Sequence, residues 1–142
     1  MEQENTVSGF KRHFDSEKNA IYLTPIEGTP THTLIWLHGA GEPAELSLNL
    51  FGSIDGSEFP SMLPHSNIQV ILPNAPMRPC TWYFDDAIVP VWSNINEFNG
   101  ETFVYDRGQF DETILRLSAL IDEEVLKHHH GDYGKLFIGG YS

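Results

Sequence analysis

The sequence predicts an α/β fold in which a mostly parallel sheet is flanked by helices, and three observations carry that expectation. Short, non-alternating apolar runs recur at Thr33-Leu34-Ile35-Trp36-Leu37, at residues 68–72 and at Leu136-Phe137-Ile138. Runs of this kind mark strands covered on both faces. Each run stops at turn chemistry: His38-Gly39-Ala40-Gly41, Pro73-Asn74-Ala75-Pro76 and Gly139-Gly140. Helical patterns separate the runs, and strand, helix, strand, helix, strand is the order of parallel crossovers.

The elements follow in chain order. Residues 1–18 are polar and charged, which predicts a loosely ordered or short-strand start. They carry no apolar h-region and no Arg-rich transit pattern, and no glycine follows Met1 for myristoylation. Residues 19–26, with Ile21, Tyr22 and Leu23, read as an early strand closed by Glu27-Gly28-Thr29-Pro30. Residues 43–51 read as a short helix with Leu46 and Leu50 one turn apart. Residues 77–105 read as a long irregular stretch rich in aromatics, among them Trp82, Tyr83, Phe84, Trp92, Phe98 and Phe103. Loops of that length in compact domains are usually lids or binding walls, and the aromatic density argues against disorder. The clearest helix carries Phe110, Ile114, Leu117, Ile121 and Val125 on one stripe, with Asp106 and Gln109 as a capping box and Lys127 and Gly131 at its end. That stripe is expected to be core rather than a cofactor site.

Composition narrows the function classes. At 142 residues and 40% hydrophobic, the chain suits one domain over residues 1–142. A net charge of −12 with only eight Lys and Arg argues against nucleic acid or an anionic membrane as partner. No window has the length of a membrane span. The lone Cys80 cannot close an internal disulfide, and no thiolate or metal framework is present, so no metal or cofactor is expected. A reducing, cytoplasmic setting fits best.

Two segments carry chemistry. Gly139-Gly140-Tyr141-Ser142 follows a buried run and reads as the first half of a G-x-S-x-G nucleophile elbow, in which a sharp turn displays the serine hydroxyl. Ser142 is therefore the candidate nucleophile. His38-Gly39-Ala40-Gly41 sits at the carboxyl end of an earlier strand, where ligands of parallel sheets bind. The Ala40 N–H is the candidate oxyanion-hole donor. Of the histidines, His13, His32, His65 and His128-His129-His130 lie away from the serine, with the last three expected as a solvated helix end. His38 lies near it but belongs to the glycine turn, where a structural hydrogen bond is its natural role. The adjacent pairs Asp85/Asp86 and Glu123/Glu124 do not form paired-carboxylate catalysts, because neighbours on a helix do not face each other.

Taken in order, Leu34-Ile35-Trp36-Leu37-His38-Gly39-Ala40-Gly41, Leu72-Pro73-Asn74-Ala75-Pro76-Met77-Arg78-Pro79, Trp92 and Gly139-Gly140-Tyr141-Ser142 resemble the N-terminal portion of the acyl-protein thioesterase, or phospholipase/carboxylesterase, family of α/β-hydrolases. The resemblance implies a partial α/β-hydrolase fold lacking the C-terminal strands and helices. It also implies a serine hydrolase that cleaves carboxylic esters or acyl thioesters, on small molecules or S-acylated proteins, through an acyl-enzyme. The family's triad aspartate and histidine map beyond Ser142, so the chain as written is expected to be inert. Trp82, Phe84 and Trp92 are implied as walls of an acyl groove, with packing under a loop the competing role. One departure stands out: Ser93 and Asn94 follow Trp92 where the family has an aromatic residue and an aspartate. A non-catalytic product that binds an acyl chain or a protein is the alternative from another class.

Overall fold

The computed structural model describes residues 5–7, 10–51 and 67–142. Among these, six strands form the main sheet in the order β1-β2-β3-β5-β4-β10. They are β1 (Asn5–Val7), β2 (Phe10–Asp15), β3 (Ala20–Pro25), β4 (His32–Leu37), β5 (Ile68–Pro73) and β10 (Leu136–Gly140). The sheet is mixed. β1, β2 and β3 form an antiparallel meander, β3 runs antiparallel to β5, and only β5-β4 and β4-β10 are parallel. The parallel portion is built from the three apolar runs, and it carries both glycine turns.

The two faces of the sheet bury different sets. Leu34 and Trp36 of β4 join Leu23, Val70 and Leu72 against Leu48 and Phe51. Ile35 and Leu37 join Ala20, Ile71 and Leu136 against Leu120 and Ile121 of α3 (Arg107–His128). The period-2 alternation of a strand requires this division.

Five expectations are corrected. Residues 43–51 do not form one regular helix: a 3-10 turn over Ala44–Ser47 precedes a single α turn, α1 (Leu48–Phe51). The tighter 3-10 winding shifts the helical phase, so Leu48 and Phe51 are buried while Leu46 faces outward. Residues 77–105 are ordered as two antiparallel hairpins. β6 (Met77–Cys80) pairs with β7 (Ala87–Pro90) across α2 (Thr81–Phe84), and β8 (Ile95–Phe98) pairs with β9 (Phe103–Tyr105). Cys80, Val91 and Ile95 form their small core.

On α3 the buried residues are Thr113, Leu117, Leu120, Glu124 and Val125, whereas Phe110 and Ile114 of the expected stripe are half-exposed. The cap is half of a capping box. Asp106 accepts the Gln109 N–H at 2.9 Å, but the Gln109 side chain accepts from the Asn94 backbone at 2.7 Å instead of reaching back. Finally, His129 is buried rather than solvated. Its Nε2 lies 2.7 Å from Thr33 Oγ1, which donates to the buried Glu124 at 3.0 Å. A hydroxyl has one proton to give, so His129 is the donor to Thr33. Residues 1–4 and His65 lie outside the described residues.

Candidate active site

The carboxyl ends of β4 and β10 lie side by side because Gly140 pairs with Leu37. That approach needs glycine: a Cβ on Gly140 would stand 2.9 Å from the Leu37 carbonyl oxygen. A Cβ on Gly139 would meet the Trp36 ring at 3.0 Å. The turn beyond β10 therefore runs directly against the turn beyond β4. The Ala40 N–H donates to the Ser142 carbonyl at 3.3 Å, and a Cβ on Gly39 would stand 3.3 Å from the Ser142 Cβ. Ser142 takes φ 55°.

The glycine turn is held from three directions. Gly41 adopts φ 81° and donates to the Pro90 carbonyl at 2.8 Å, while the Phe84 ring fills the space where a side chain would stand. The Trp92 indole N–H donates to the His38 carbonyl at 2.9 Å, and its ring lies 5.0 Å from the His38 imidazole. The Tyr141 hydroxyl donates to the Glu42 carboxylate, which raises the phenol's pKa and ties the exit of β10 to the same turn.

His38 is buried and fully committed. Its Nε2 accepts the Ala75 N–H at 2.9 Å, so this nitrogen is unprotonated, and Nδ1–H donates to the Gly39 carbonyl at 2.8 Å. Burial lowers its pKa, which favours the same neutral form. The imidazole is a structural strut joining the glycine turn to the Pro73-Asn74-Ala75-Pro76 turn, and neither nitrogen is free to take a proton from Ser142. Asn74 extends the strut: its Oδ1 accepts the Ala44 N–H at 2.8 Å, and its carbonyl accepts from Arg116 at 2.6 Å.

Leu37, His38, Trp92, Ile138, Gly140 and Ser142 line an open cleft of about 480 Å³. Of the sequence-predicted wall residues, Trp92 lines this cleft, Phe84 packs on Gly41, and Trp82 lies further out with its ring 6.0 Å from Phe98. The departure after Trp92 has a structural use. Ser93 donates to the Asp106 carbonyl at 2.9 Å, and Asn94 Oδ1 accepts the Thr81 N–H at 2.8 Å, so this pair fastens the hairpins to the start of α3. Sequence reasoning missed Glu42, Asn74 and Arg116. The Pro-Asn-Ala-Pro turn was the available signal for Asn74. Among the described residues no group of His, Cys, Asp and Glu is arranged to hold a metal ion.

A parallel β5-β4-β10 core, with a glycine turn facing Ser142 at its carboxyl ends, defines a partial α/β-hydrolase-like fold. The chain belongs to the phospholipase/carboxylesterase family, whose pattern it matches over residues 23–142. Among solved structures it is similar to Zea mays acyl-protein thioesterase 2, with 23% identity, a TM-score of 0.62, and coverage of 87% of this chain and 46% of that one. It is also similar to Arabidopsis thaliana SOBER1, with 24% identity, a TM-score of 0.59, and coverage of 78% and 49%. The chain thus spans about half the length of these structures. No curated protein sequence matches it.

Proposed function

We propose that this chain supplies the nucleophile and one oxyanion donor of a serine hydrolase that cleaves carboxylic esters or acyl thioesters through an acyl-enzyme. The observation that carries this reading is the pairing of the two turns, with the Ala40 nitrogen 3.3 Å from the Ser142 main-chain oxygen and a side chain on Gly39 crowding the Ser142 Cβ. In the proposed reaction the Ser142 hydroxyl adds to the acyl carbon, its proton passes to a base, and the tetrahedral oxyanion takes hydrogen bonds from the Ala40 N–H and a second donor. Collapse expels the thiol or alcohol, and water then hydrolyses the Ser142 ester. His38 is excluded as the base by its two hydrogen bonds. The base and its orienting carboxylate would come from residues that follow Ser142 in a longer product, and the buried thiol of Cys80 fits a cytoplasmic one.

The reading separates two measurements. The 142-residue chain should turn over p-nitrophenyl esters and acyl thioesters at the background rate, because loss of the triad histidine costs on the order of 10⁶ in kcat. A transcript read past codon 142 should encode a small residue two positions on, then an aspartate and a histidine, and that product should be active. A stop codon directly after Ser142 would favour the second reading, a non-catalytic binding product.

A further inference from the structure

The two hairpins present an aromatic surface beside the candidate site. Trp82 and Tyr83 of α2 contact Phe98 and Phe103 of the β8-β9 hairpin, with ring centroids 6.0 Å apart for Trp82–Phe98, 6.2 Å for Tyr83–Phe103 and 4.9 Å for Phe98–Phe103. All four remain open to solvent, at 48%, 64%, 38% and 38% exposure. Contiguous exposed aromatics of this kind mark interaction surfaces, where rigid rings act as anchors.

The charge around the rings selects the partner. Residues 79–106 contain no Lys, Arg or His, and the carboxylates of Asp85, Asp86, Glu97 and Glu101 are exposed. None of the four is in an ion pair among the described residues. Only Asp86 is engaged by a side chain, accepting from Thr81 at 2.9 Å. An aromatic patch bordered by unpaired carboxylates attracts Lys and Arg twice, by Coulomb attraction at the rim and by cation–π contact on the rings. It repels an anionic lipid surface.

The geometry points to this face as the docking site for a cationic, apolar peptide segment of a partner protein. The inference rests on the proposed hydrolase reading for its consequence: the acyl donor is a protein whose modified residue lies next to a Lys/Arg-rich stretch. α2 is continuous with the site, since Phe84 packs against Gly41, one residue from the Ala40 nitrogen that contacts Ser142. A segment seated on Trp82 and Tyr83 therefore leads toward the serine.

Fluorescence anisotropy of the full chain with a labelled peptide alternating Lys and Leu tests this, with a Glu/Leu peptide and phosphatidylcholine vesicles as the other arms. Saturable binding of the Lys peptide is expected, weakened about tenfold by the combined Asp85→Asn, Asp86→Asn, Glu97→Gln and Glu101→Gln changes and weakened further by salt. Asparagine tolerates the left-handed backbone at Asp85 and Asp86 (φ 47° and 63°), so those changes preserve the turn, and circular dichroism checks it. Tyr83→Ala with Phe103→Ala should weaken binding at every salt concentration. Equal binding of the Glu peptide, unchanged binding by the neutralised chain, or binding to vesicles alone would overturn the inference. The readout is binding and not turnover, so it fails or succeeds separately from the role of Ser142.

Discussion

The imidazole Nε2 of His38 accepts the backbone N–H of Ala75 at 2.9 Å, joining the two turns that follow β4 and β5. Removing that ring leaves the buried Ala75 N–H unpaired and a void, while the Gly39 carbonyl keeps only the Glu42 N–H at 3.2 Å. His38→Ala should therefore lower stability by about 2–4 kcal/mol. His38→Gln, which can still accept from Ala75, should recover part of the loss. Urea denaturation midpoints of the two variants measure the difference, and equal midpoints would remove the strut role.

The same residue links stability to pH. Burial lowers the pKa of both His38 and His129 from the ordinary 6.5. The unfolded chain then binds more protons than the folded one once the pH drops below about 6.5, so stability is fully present above that value and declines toward acid. Each histidine adds up to about 1.4 kcal/mol per pH unit. Urea midpoints between pH 7.5 and 5 should fall, and His38→Gln should flatten the slope; a slope unaffected by that substitution would exclude His38 as a contributor.

Gly41 is required by its neighbour as well as by its backbone. A Cβ there would stand 2.3 Å from the Phe84 ring at φ 81°. Gly41→Ala should cost about 2–4 kcal/mol, combining overpacking with left-handed strain. Adding Phe84→Ala should return the overpacking share only. A double-mutant cycle from thermal or urea unfolding reads the coupling, and strict additivity would show that the two residues do not press on each other.

Among the described residues, the strand that carries the site has one unpaired edge. β10 is last in the sheet order among the described residues, with Phe137 and Ile138 54% and 51% exposed on its opposite faces. Unprotected apolar edges pair with other chains. The isolated chain should self-associate, and Phe137→Lys should shift it toward monomer in light scattering. An unchanged association constant would place the contact elsewhere.

Much of this was legible in the residues themselves. The runs that became β4 and β5 are apolar because both faces are covered, whereas the run of β10, expected to be covered in the same way, leaves Phe137 and Ile138 half-exposed; the terminating glycines and prolines of all three announce the turns. The strand Phe10–Asp15 falls in a segment that read only as a loosely ordered or short-strand start, because Lys11, Arg12 and His13 interrupt its pattern and its partner β3 supplies the pairing. The hairpins of residues 77–105 were obscured by Pro79 and Pro90, which read as breakers yet sit within short two-stranded ribbons. His129 looked like a charge suited to a helix end. Its burial depends on Thr33, 96 positions away in the chain, and no local pattern reveals that contact. Phe110 and Ile114 follow the helical period but have little packed over them, so periodicity overstated the core.

A fluorophosphonate probe, reacted with the longest product translated from this transcript, tests the role of Ser142 most directly. Mass spectrometry of the digested adduct should place the single label on Ser142, and Ser142→Ala should abolish it. A label on another residue, or one that survives Ser142→Ala, would exclude Ser142 as the nucleophile.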